Sequence, residues 1–505
     1  MRNIRTVFLC TVLFASCSVN KSSFSPQRKY APEQLQRDFH IYRTILEEYH
    51  PSLYWYISRD SLNSYFEKGK AALKDSLTEP EFRKILAYIT AKISCGHTSI
   101  RNSKAWNRYY DTARLTGMFP LSMKVWNDTM VVTANLNRRD SVLRRGTPVI
   151  KINGKPIAQI TDTLFRYIST DGYNLTHKYQ SLSNRGYFGS LYQQVFGSSP
   201  VYTIEYLDST GSARGLNVPL YNPQADTAGR MAIRPPARIP RPTKKERKRQ
   251  QISTIRLLRI DTAGRSAMMT LSTFGKGYGL RKFFRQSFRA MEKHGIAHLI
   301  IDVRGNGGGN VNNSTLLTRY LADKPFRIAD SLYAIRKRGT YDRYIKNQFW
   351  NRLFISVFTR RKRDGLYHFG YFEKKNFQPK SRNHFAGKTY IVTGGNSFSA
   401  TTLFASALIR QENVLVVGEE TGGGAYGNSA WLIPDVKLPE TGVRFRLPLF
   451  RLVIDKSLPK DGRGVRPEVY SLPSIEAIRR NADFKIEKVM ELIRADQAQK
   501  NDPGL

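Results

Sequence analysis

Two serines lie where a β-branched stretch gives way to an alanine-rich one, in TGGNSFSATTLFASALI (393–409). The first amides of a helix have no partner inside the helix, and the helix dipole favours negative charge at that end. A serine there is placed for acyl transfer, and Ser399 is the one nearest the predicted helix. The bland alternative is an N-cap, in which Ser397 or Ser399 only satisfies a free amide; for a serine taken alone this role is the more frequent one.

A glycine cluster follows a second apolar stretch, in LIIDVRGNGGGN (299–310). Glycines let backbone amides approach a ligand closely, as an oxyanion donor must. A nucleotide site is disfavoured, because the stretch has no Gly-x-Gly-x-x-Gly with a suitably spaced acidic residue and no following Lys-Ser/Thr pair. The cluster therefore favours stabilisation of negative charge beside the serine.

Strands and helices alternate after residue 252, which predicts an α/β domain with buried, mainly parallel strands. Before it, 31–112 has helical periodicity with a predicted cap at Thr78, and 113–225 has short strands with a hairpin signal at Asn127-Asp128. The stretch GTPVIKINGKPI (146–157) resembles the strand and turn of PDZ domains, although Asn-Gly is also simply a good tight turn. A closing helix is expected over 481–505.

The first 17 residues, MRNIRTVFLCTVLFASC, have two early arginines and then an apolar run too short to span a bilayer. This order predicts an export signal. LFASC resembles a bacterial lipoprotein cleavage site, at which Cys17 becomes lipidated; a plain cleaved signal is the alternative. Residues 18–30 would be a tether. Only Cys95 is left in the folded part, so no disulfide is expected.

The formal net charge is +41. Such a charge suits nucleic acid, but an exported protein rarely meets any, so no nucleic-acid partner is expected. The Pro-rich basic run RPPARIPRPTKKERKRQQ (234–251) is interpreted as part of a solvated linker over 226–251. The basic and aromatic run at 336–365 is either an amphipathic element near anionic lipid headgroups or a helix with a solvated basic face.

Four motifs occur in an order that resembles the C-terminal processing, or tail-specific, serine peptidases and their tricorn and retinoid-binding relatives. They are IIDVRGNGGG (300–309), NSFSATTLFASAL (396–408), VVGEETGGGAYG (416–427) and DGRGVRPE (461–468). The resemblance covers about 252–473. It implies a crotonase-like spiral α/β catalytic domain over 252–480, preceded by an N-terminal helical domain over 31–112 and a PDZ-like β domain over 113–225.

The resemblance also implies residue roles. The nucleophile position falls on Ser399, while the lysine base of the tail-specific branch would stand at Gly424 and is missing. The tricorn-like branch uses a histidine, for which ISCGHTSI supplies His97, and a carboxylate, for which Asp461 stands where relatives often have glutamate. An imidazole can take the serine proton at neutral pH while a carboxylate fixes its tautomer. That branch has a serine before its histidine, whereas Gly96 stands here.

For the oxyanion hole, the resemblance implies the amides of Ala400 and Gly308. An acidic residue that follows the nucleophile in tricorn, and favours basic substrates there, is replaced here by Ala400. No cofactor and no metal site are expected.

These observations predict an exported serine endopeptidase that forms an acyl-enzyme on a peptide or protein substrate. The PDZ-like region would bind an extended peptide by strand addition. Two alternatives remain: a catalytically inactive relative that binds peptides or hydrophobic ligands, and an envelope-surface scaffold that binds through its basic segments. The sequence leaves the oligomeric state open.

Overall fold

The computed structural model describes residues 24–112, 117–224 and 242–501. The predicted signal with Cys17, residues 18–23 of the predicted tether and residues 226–241 of the predicted linker lie outside these ranges.

The first region, 24–112, is mainly helical, as predicted. The helix at residue 79 begins with a capping box, in which the Thr78 N–H donates to Glu81 Oε2 (2.8 Å). Its elements are β1 (Lys29–Tyr30), α1 (Pro32–Tyr49), α2 (Arg59–Ala71), β2 (Leu77–Thr78), α3 (Glu79–Lys92), β3 (Ile100–Arg101) and α4 (Lys104–Thr112).

The second region, 117–224, is an open sheet covered by helices. The hairpin turns at Asn127 and at Asn153-Gly154 are confirmed, with positive φ angles that asparagine and glycine tolerate. Its elements are β4 (Leu121–Trp126), β5 (Thr129–Asn135), β6 (Pro148–Ile152), β7 (Lys155–Pro156), α5 (Ile157–Phe165), α6 (Leu175–Ser183), α7 (Tyr187–Phe196), β8 (Val201–Leu207) and β9 (Ala213–Pro219). The strand order is β4-β5-β6-β8-β9, with β7 paired to β6.

The third region, 242–501, contains the α/β part. Its helices are α8 (Lys244–Ile255), α9 (Leu280–Lys293), α10 (Val311–Leu321), α11 (Gln348–Phe358), α12 (Gly370–Lys374), α13 (Ala400–Leu408), α14 (Ile475–Arg480) and α15 (Phe484–Asn501). Its strands are β10 (Arg256–Asp261), β11 (Ser266–Leu271), β12 (His298–Asp302), β13 (Ser331–Ala334), β14 (Arg360–Arg361), β15 (Tyr367–His368), β16 (Lys388–Thr393), β17 (Val414–Gly418), β18 (Gly427–Ala430), β19 (Asp435–Lys437), β20 (Arg444–Arg446), β21 (Phe450–Val453) and β22 (Val469–Tyr470).

The main sheet has the order β10-β11-β12-β16-β17-β22, and all its pairs except β10–β11 are parallel. This confirms the predicted parallel sheet. Strands β12 and β16 are neighbours, with Asp302 opposite Val392. Because both strands end at the same edge, the glycine cluster that follows β12 and the serine turn that follows β16 meet there.

The N-terminal helices share a hydrophobic core with the third region. Leu35, Phe39, Tyr42, Ile45 and Leu46, on one face of α1, are at most 3 % exposed. Their core also contains residues of β13, β20 and β21, and β3 pairs with β20. The segment that carries His97 is thereby fixed to the part of the chain that carries Ser399.

The predicted linker is partly wrong, because its last residues begin a helix. Helix α8 starts at Lys244 behind a capping box, in which the Thr243 N–H donates to Glu246 Oε2 (2.7 Å). No residue of this helix is buried. The basic, Pro-rich composition of this stretch indicated a linker, although its last residues form a short, well-capped helix.

The closing helix is confirmed as α15, which begins at Phe484. Its Lys485 is buried and donates to the carbonyl of Thr393 (2.9 Å), at the end of β16. Among the described residues, no helix is both long and apolar enough to cross a bilayer.

Candidate active site

Ser399 lies in a sharp turn between β16 and α13. Its backbone has φ 56° and ψ −120°, a combination that L-residues rarely adopt and that costs about 1–3 kcal/mol. Hydrolases of another fold use such a strained strand-to-helix turn to expose a nucleophilic serine. The side chain is half-buried, whereas Phe398 and Ala400 on either side are buried.

The two serines of this turn have different roles. Ser397 is fully buried; its hydroxyl donates to the Val303 carbonyl (2.8 Å) and accepts from the Gly394 N–H (3.2 Å). Ser399 makes no side-chain capping hydrogen bond, although it occupies the N-cap position of α13. The structure therefore removes the N-cap interpretation of Ser399 and assigns a structural role to Ser397.

The glycine cluster approaches this turn closely. Gly308 has φ +96°, and a Cβ built on it would lie 2.7 Å from Ser399 Cβ and 2.9 Å from the Ala400 nitrogen. Both amides predicted for the oxyanion hole are thus beside Ser399. In this structure the Gly308 N–H donates to Asn306 Oδ1 (2.9 Å), so that bond must open before this amide can reach a ligand.

The segment 421–424 closes the other side of the turn. A Cβ on Gly423 would lie 3.1 Å from the Ser399 nitrogen, and one on Gly424 would lie 2.6 Å from the Gly427 carbonyl oxygen. Position 424, where the tail-specific branch has its lysine, is therefore closed to a side chain by backbone packing.

His97 lies in the loop between α3 and β3. It is 6 % exposed, and its ring centroid is 5.0 Å from that of Phe398, the residue before Ser399. Its Nδ1 is buried and has no hydrogen-bond partner among the described residues. Burial, helped by the nearby charges of Arg446 and His177, lowers the pKa of His97 to about 3, so the imidazole is neutral at ordinary pH and a weaker base than a free histidine.

Packing explains why glycine, and not the serine of the tricorn-like branch, precedes His97. A Cβ on Gly96 would overlap the Phe398 ring. The space that a serine side chain would need is thus filled by an aromatic side chain from the turn that carries Ser399.

A second histidine, His177 of α6, packs against the same aromatic ring. Its ring centroid is also 5.0 Å from that of Phe398, and its Nδ1 lies 2.8 Å from the Gly395 carbonyl oxygen. A bond to a carbonyl requires the proton on Nδ1, which leaves Nε2 as the acceptor. Burial lowers the pKa of His177 below its usual value. Sequence reasoning missed this residue, because no motif marks it.

Asp461 lies in an exposed turn and makes its own local contacts. Its Oδ2 accepts from Arg466 (2.9 Å) and its Oδ1 accepts from the Arg463 N–H (3.0 Å). Since His97 Nδ1 has no described partner, Asp461 does not orient this imidazole in the structure. The prediction of a His97–Asp461 pair is therefore not supported by the geometry: the carboxylate satisfies its own turn instead.

The buried carboxylate of the site is Asp171, which sequence reasoning also missed. It accepts from the Gly96 N–H (2.8 Å) and from the Gly424 N–H (3.2 Å), and thereby ties the His97 loop to the segment beside Ser399. Burial raises the pKa of Asp171 to about 6, against the opposing effect of these two hydrogen bonds. Asp-Gly is an ordinary turn pair, so its sequence context gave no signal.

Among residues 24–112, 117–224 and 242–501, no group of three or more histidine, cysteine or acidic side chains is arranged to hold a metal ion. Cys95 is buried and unpaired.

A strained serine at a helix N-terminus, with backbone amides and buried imidazoles around it, has the features of a serine hydrolase site. Residues 265–470 match the model of peptidase family S41. That segment is less than half of the chain, and the match to it supports a peptidase-type function.

Solved structures show the fold. Mature CPAF is similar with a TM-score of 0.61 and 15 % identity, over 94 % of this chain and 99 % of that chain. A CPAF variant gives a TM-score of 0.62 at 14 % identity, over the same shares. Identities this low show an S41 protease-like α/β fold of mixed sheets and helices, and nothing finer. No curated protein matches the chain.

Proposed function

We propose that this chain is an exported serine endopeptidase that works through an acyl-enzyme on Ser399, with His97 as general base. The observation that carries the proposal is the Ser399 turn itself: a serine held at positive φ, without a capping bond, against Gly308 and Ala400. The cost of such a backbone conformation has a reason if the hydroxyl must face a substrate.

The reaction would begin when neutral His97 takes the proton of the Ser399 hydroxyl as its oxygen bonds to the scissile carbonyl carbon. The carbonyl π electrons move to oxygen, and the resulting oxyanion accepts a hydrogen bond from the Ala400 N–H. The Gly308 N–H joins it once released from Asn306. Collapse of this intermediate expels the amine, which takes the proton from His97, and water then hydrolyses the ester. Unliganded sites are commonly looser than reacting ones, so side-chain movement around Phe398 is part of the proposal.

Asp171 is proposed as a positioning residue. It holds the backbone on the N-terminal side of His97 without touching the imidazole. Because it also holds Gly424, one carboxylate fixes the His97 loop relative to the segment 421–424 beside the nucleophile.

A fluorophosphonate probe and a set of fluorogenic peptides test this proposal. Ser399→Ala should abolish labelling and reduce hydrolysis by at least about 10⁴-fold. Ser406→Ala is the matched control, since that serine lies on α13 and its hydroxyl has no described partner. Equal labelling of the wild type and Ser399→Ala would leave the inactive binding protein as the better hypothesis.

The base is tested separately, because two imidazoles contact Phe398. His97→Gln should remove most of the hydrolysis, whereas His177→Gln should retain most of it. The reverse result would assign the base to His177, whose Nε2 is the acceptor nitrogen.

Export and anchoring are proposed from the first 17 residues, which lie outside the described structure. Cys17 would carry the lipid at the start of the mature chain. Fatty-acid labelling that disappears in Cys17→Ser would support the anchor; labelling that persists would disprove it.

The crotonase-like and PDZ-like assignments are also proposals, supported by the parallel sheet and by the hairpins of 117–224. Strand addition at β4 would meet an obstacle at Val125, whose N–H donates to Ser183 Oγ (2.9 Å) and whose carbonyl accepts from the same hydroxyl (3.3 Å). A peptide that pairs with β4 at this point must displace Ser183. The other edge strand, β9, is largely exposed.

A further inference from the structure

Helix α11 carries an exposed apolar face on a strongly basic surface. Phe358, the last residue of the helix, is 55 % exposed, and four further apolar side chains are between 42 % and 65 % exposed: Phe349, Trp350, Leu353 and Val357. They follow the spacing i, i+1, i+4 and i+8, which places them on one side of a helix with about 3.6 residues per turn. A contiguous apolar face of this kind in water marks a contact site.

The opposite side of α11 is anchored in the protein. Asn351 and Ile355 are buried, and the Phe354 ring packs edge-on against Phe369 (centroids 5.4 Å apart). The outward orientation of the exposed residues is therefore set by packing, and the helix presents them on a rigid base.

Positive charge surrounds this face. Residues 336–363 contain ten lysines and arginines against the single acidic residue Asp342. Arg360 and Arg361 of β14 follow the helix after Thr359, and both are exposed. A neutral apolar partner would gain nothing from this charge, whereas an anionic surface would.

A basic cavity of about 390 Å³ borders the apolar face. Ser356, which follows Leu353 by three residues, lines it from the helix. Its other lining residues are Arg336, Lys337, Arg338, Arg352 and Tyr367. Arg336 is paired with Glu48 (2.9 Å) and Lys337 lies over the Tyr367 ring (4.6 Å). Guanidinium groups bind phosphate oxygens in a bidentate manner, so Arg338 and Arg352 suit a phosphate group.

We propose that α11 docks this protein on an anionic lipid surface, with its four apolar residues among the acyl chains and a lipid phosphate in the adjacent cavity. Interfacial helices combine these two elements: aromatic and aliphatic side chains on one face and lysine or arginine at its borders. The inference is independent of Ser399 chemistry and of the lipid anchor at Cys17. It would fix how the body of the molecule lies on a membrane, which a tether alone does not.

The test is binding of the full chain, carrying Cys17→Ser so that no lipid is attached, to vesicles of phosphatidylcholine with or without phosphatidylglycerol. Binding to the anionic vesicles should exceed binding to neutral ones by about tenfold or more at low salt, and should weaken from about 0.05 to about 0.5 M salt. Trp350 emission should shift to the blue on binding, and the shift should be absent in Trp350→Phe.

Three double variants identify the surface that binds. All of them are made in the full chain that carries Cys17→Ser, so they share the same N-terminal segment. Trp350→Ser with Leu353→Ser removes apolar area, and Arg338→Gln with Arg352→Gln removes charge from the cavity; each should weaken binding by about tenfold. Val201→Ser with Leu472→Ser is the control, since these side chains are also 44 % and 55 % exposed but lie elsewhere; its binding should be unchanged.

Three results would overturn the proposal: no binding at low salt, equal binding by the Trp350/Leu353 variant and the wild type, or a loss of binding in the control as large as in the test variants. Self-association in sedimentation that the Trp350/Leu353 variant abolishes, without vesicle binding, would show that a second copy of the chain covers the face instead.

Discussion

The turn that carries Ser399 (393–400) and the turn that carries Asp461 (459–466) were both singled out by motifs of the same resemblance, yet they differ physically. The first holds a strained serine between buried neighbours. In the second, the glycines make the buried contacts: Gly462 packs against Gly172, and the Gly464 N–H donates to Glu420 Oε1 (2.6 Å). Asp461 itself faces solvent and pairs with Arg466.

This difference shows what a motif transfers. Where the backbone around a residue is fixed by packing, as at Ser399, the position of its side chain follows from the motif. Where only the glycines are fixed, as around Asp461, the motif predicts the path of the backbone. It does not predict the partner of the exposed carboxylate, which binds neighbouring groups of its own turn. The buried carboxylate that ties the site together, Asp171, comes from a different segment.

The largest effect that would sharpen this comparison is expected from Gly308→Ala. The new methyl would meet Ser399 Cβ and the Phe398 carbonyl oxygen at 2.7 Å, in a conformation that alanine disfavours. We expect kcat/KM to fall by about 10²–10³-fold, the typical effect of losing one oxyanion donor.

Gly307→Ala is the control for that variant. Gly307 precedes Gly308 in the chain, is exposed, and has open space around its Cβ position. Its activity should stay near that of the wild type. Equal activity of the two variants in the peptide assay would show that close approach of the glycine cluster to Ser399 is not needed.

A second prediction compares the effects of replacing Asp171 and Asp461. In Asp171→Asn, the amide can accept only one of the two backbone bonds and places its NH₂ against the other N–H. This should lower the free energy of unfolding by about 1–3 kcal/mol. Hydrolysis should also fall by about tenfold, mainly in kcat, because the His97 loop loses its anchor.

Asp461→Asn, by contrast, removes one exposed ion pair, worth less than about 1 kcal/mol, and should leave kcat unchanged. Urea unfolding and peptide hydrolysis measured on both variants decide the matter. A large loss of kcat in Asp461→Asn with little in Asp171→Asn would restore the partner that the motif implied.

Much of the fold could be predicted because its signals are local. The Thr78 cap, the Asn127 hairpin and the buried strand before the glycine cluster depend on neighbours in sequence. The start of α13 directly after Ser399 was equally readable. These elements place the nucleophile and the glycine cluster at one sheet edge, and this arrangement is found.

The rest depends on contacts between distant segments. Asp171 lies 75 residues from Gly96 and 253 from Gly424, and His177 lies 218 from Gly395. None of these three pairings has a spacing that a motif could reveal. The missed helix α8 is a different failure, since Thr243 and Glu246 form a local capping box that the Pro-rich basic composition concealed.

The dependence of stability on pH again separates the buried site from the surface. Burial and the charge of Arg451 lower the pKa of His50 to about 3; this residue lies 2.8 Å from Thr98 Oγ1, beside His97. A histidine whose folded pKa is lowered contributes stability above its unfolded pKa of about 6.5 and loses it as the pH falls, by about 1.4 kcal/mol per pH unit. His97 acts in the same direction.

Asp171 acts in the opposite direction, because its pKa is raised: its contribution is present at low pH and is lost as the pH rises through about 6. His50, His97 and His177 all have lowered pKa values and outnumber Asp171, so the free energy of unfolding should decrease from pH 7 to pH 5. Between pH 6.5 and pH 5, His50→Gln should reduce that decrease by about 2 kcal/mol, whereas Ser406→Ala should leave it unchanged. Urea unfolding at pH 5, 6 and 7 measures both. A decrease as large in His50→Gln as in the wild type would mean that water reaches this histidine, and the site beside it would then be wetter than its packing indicates.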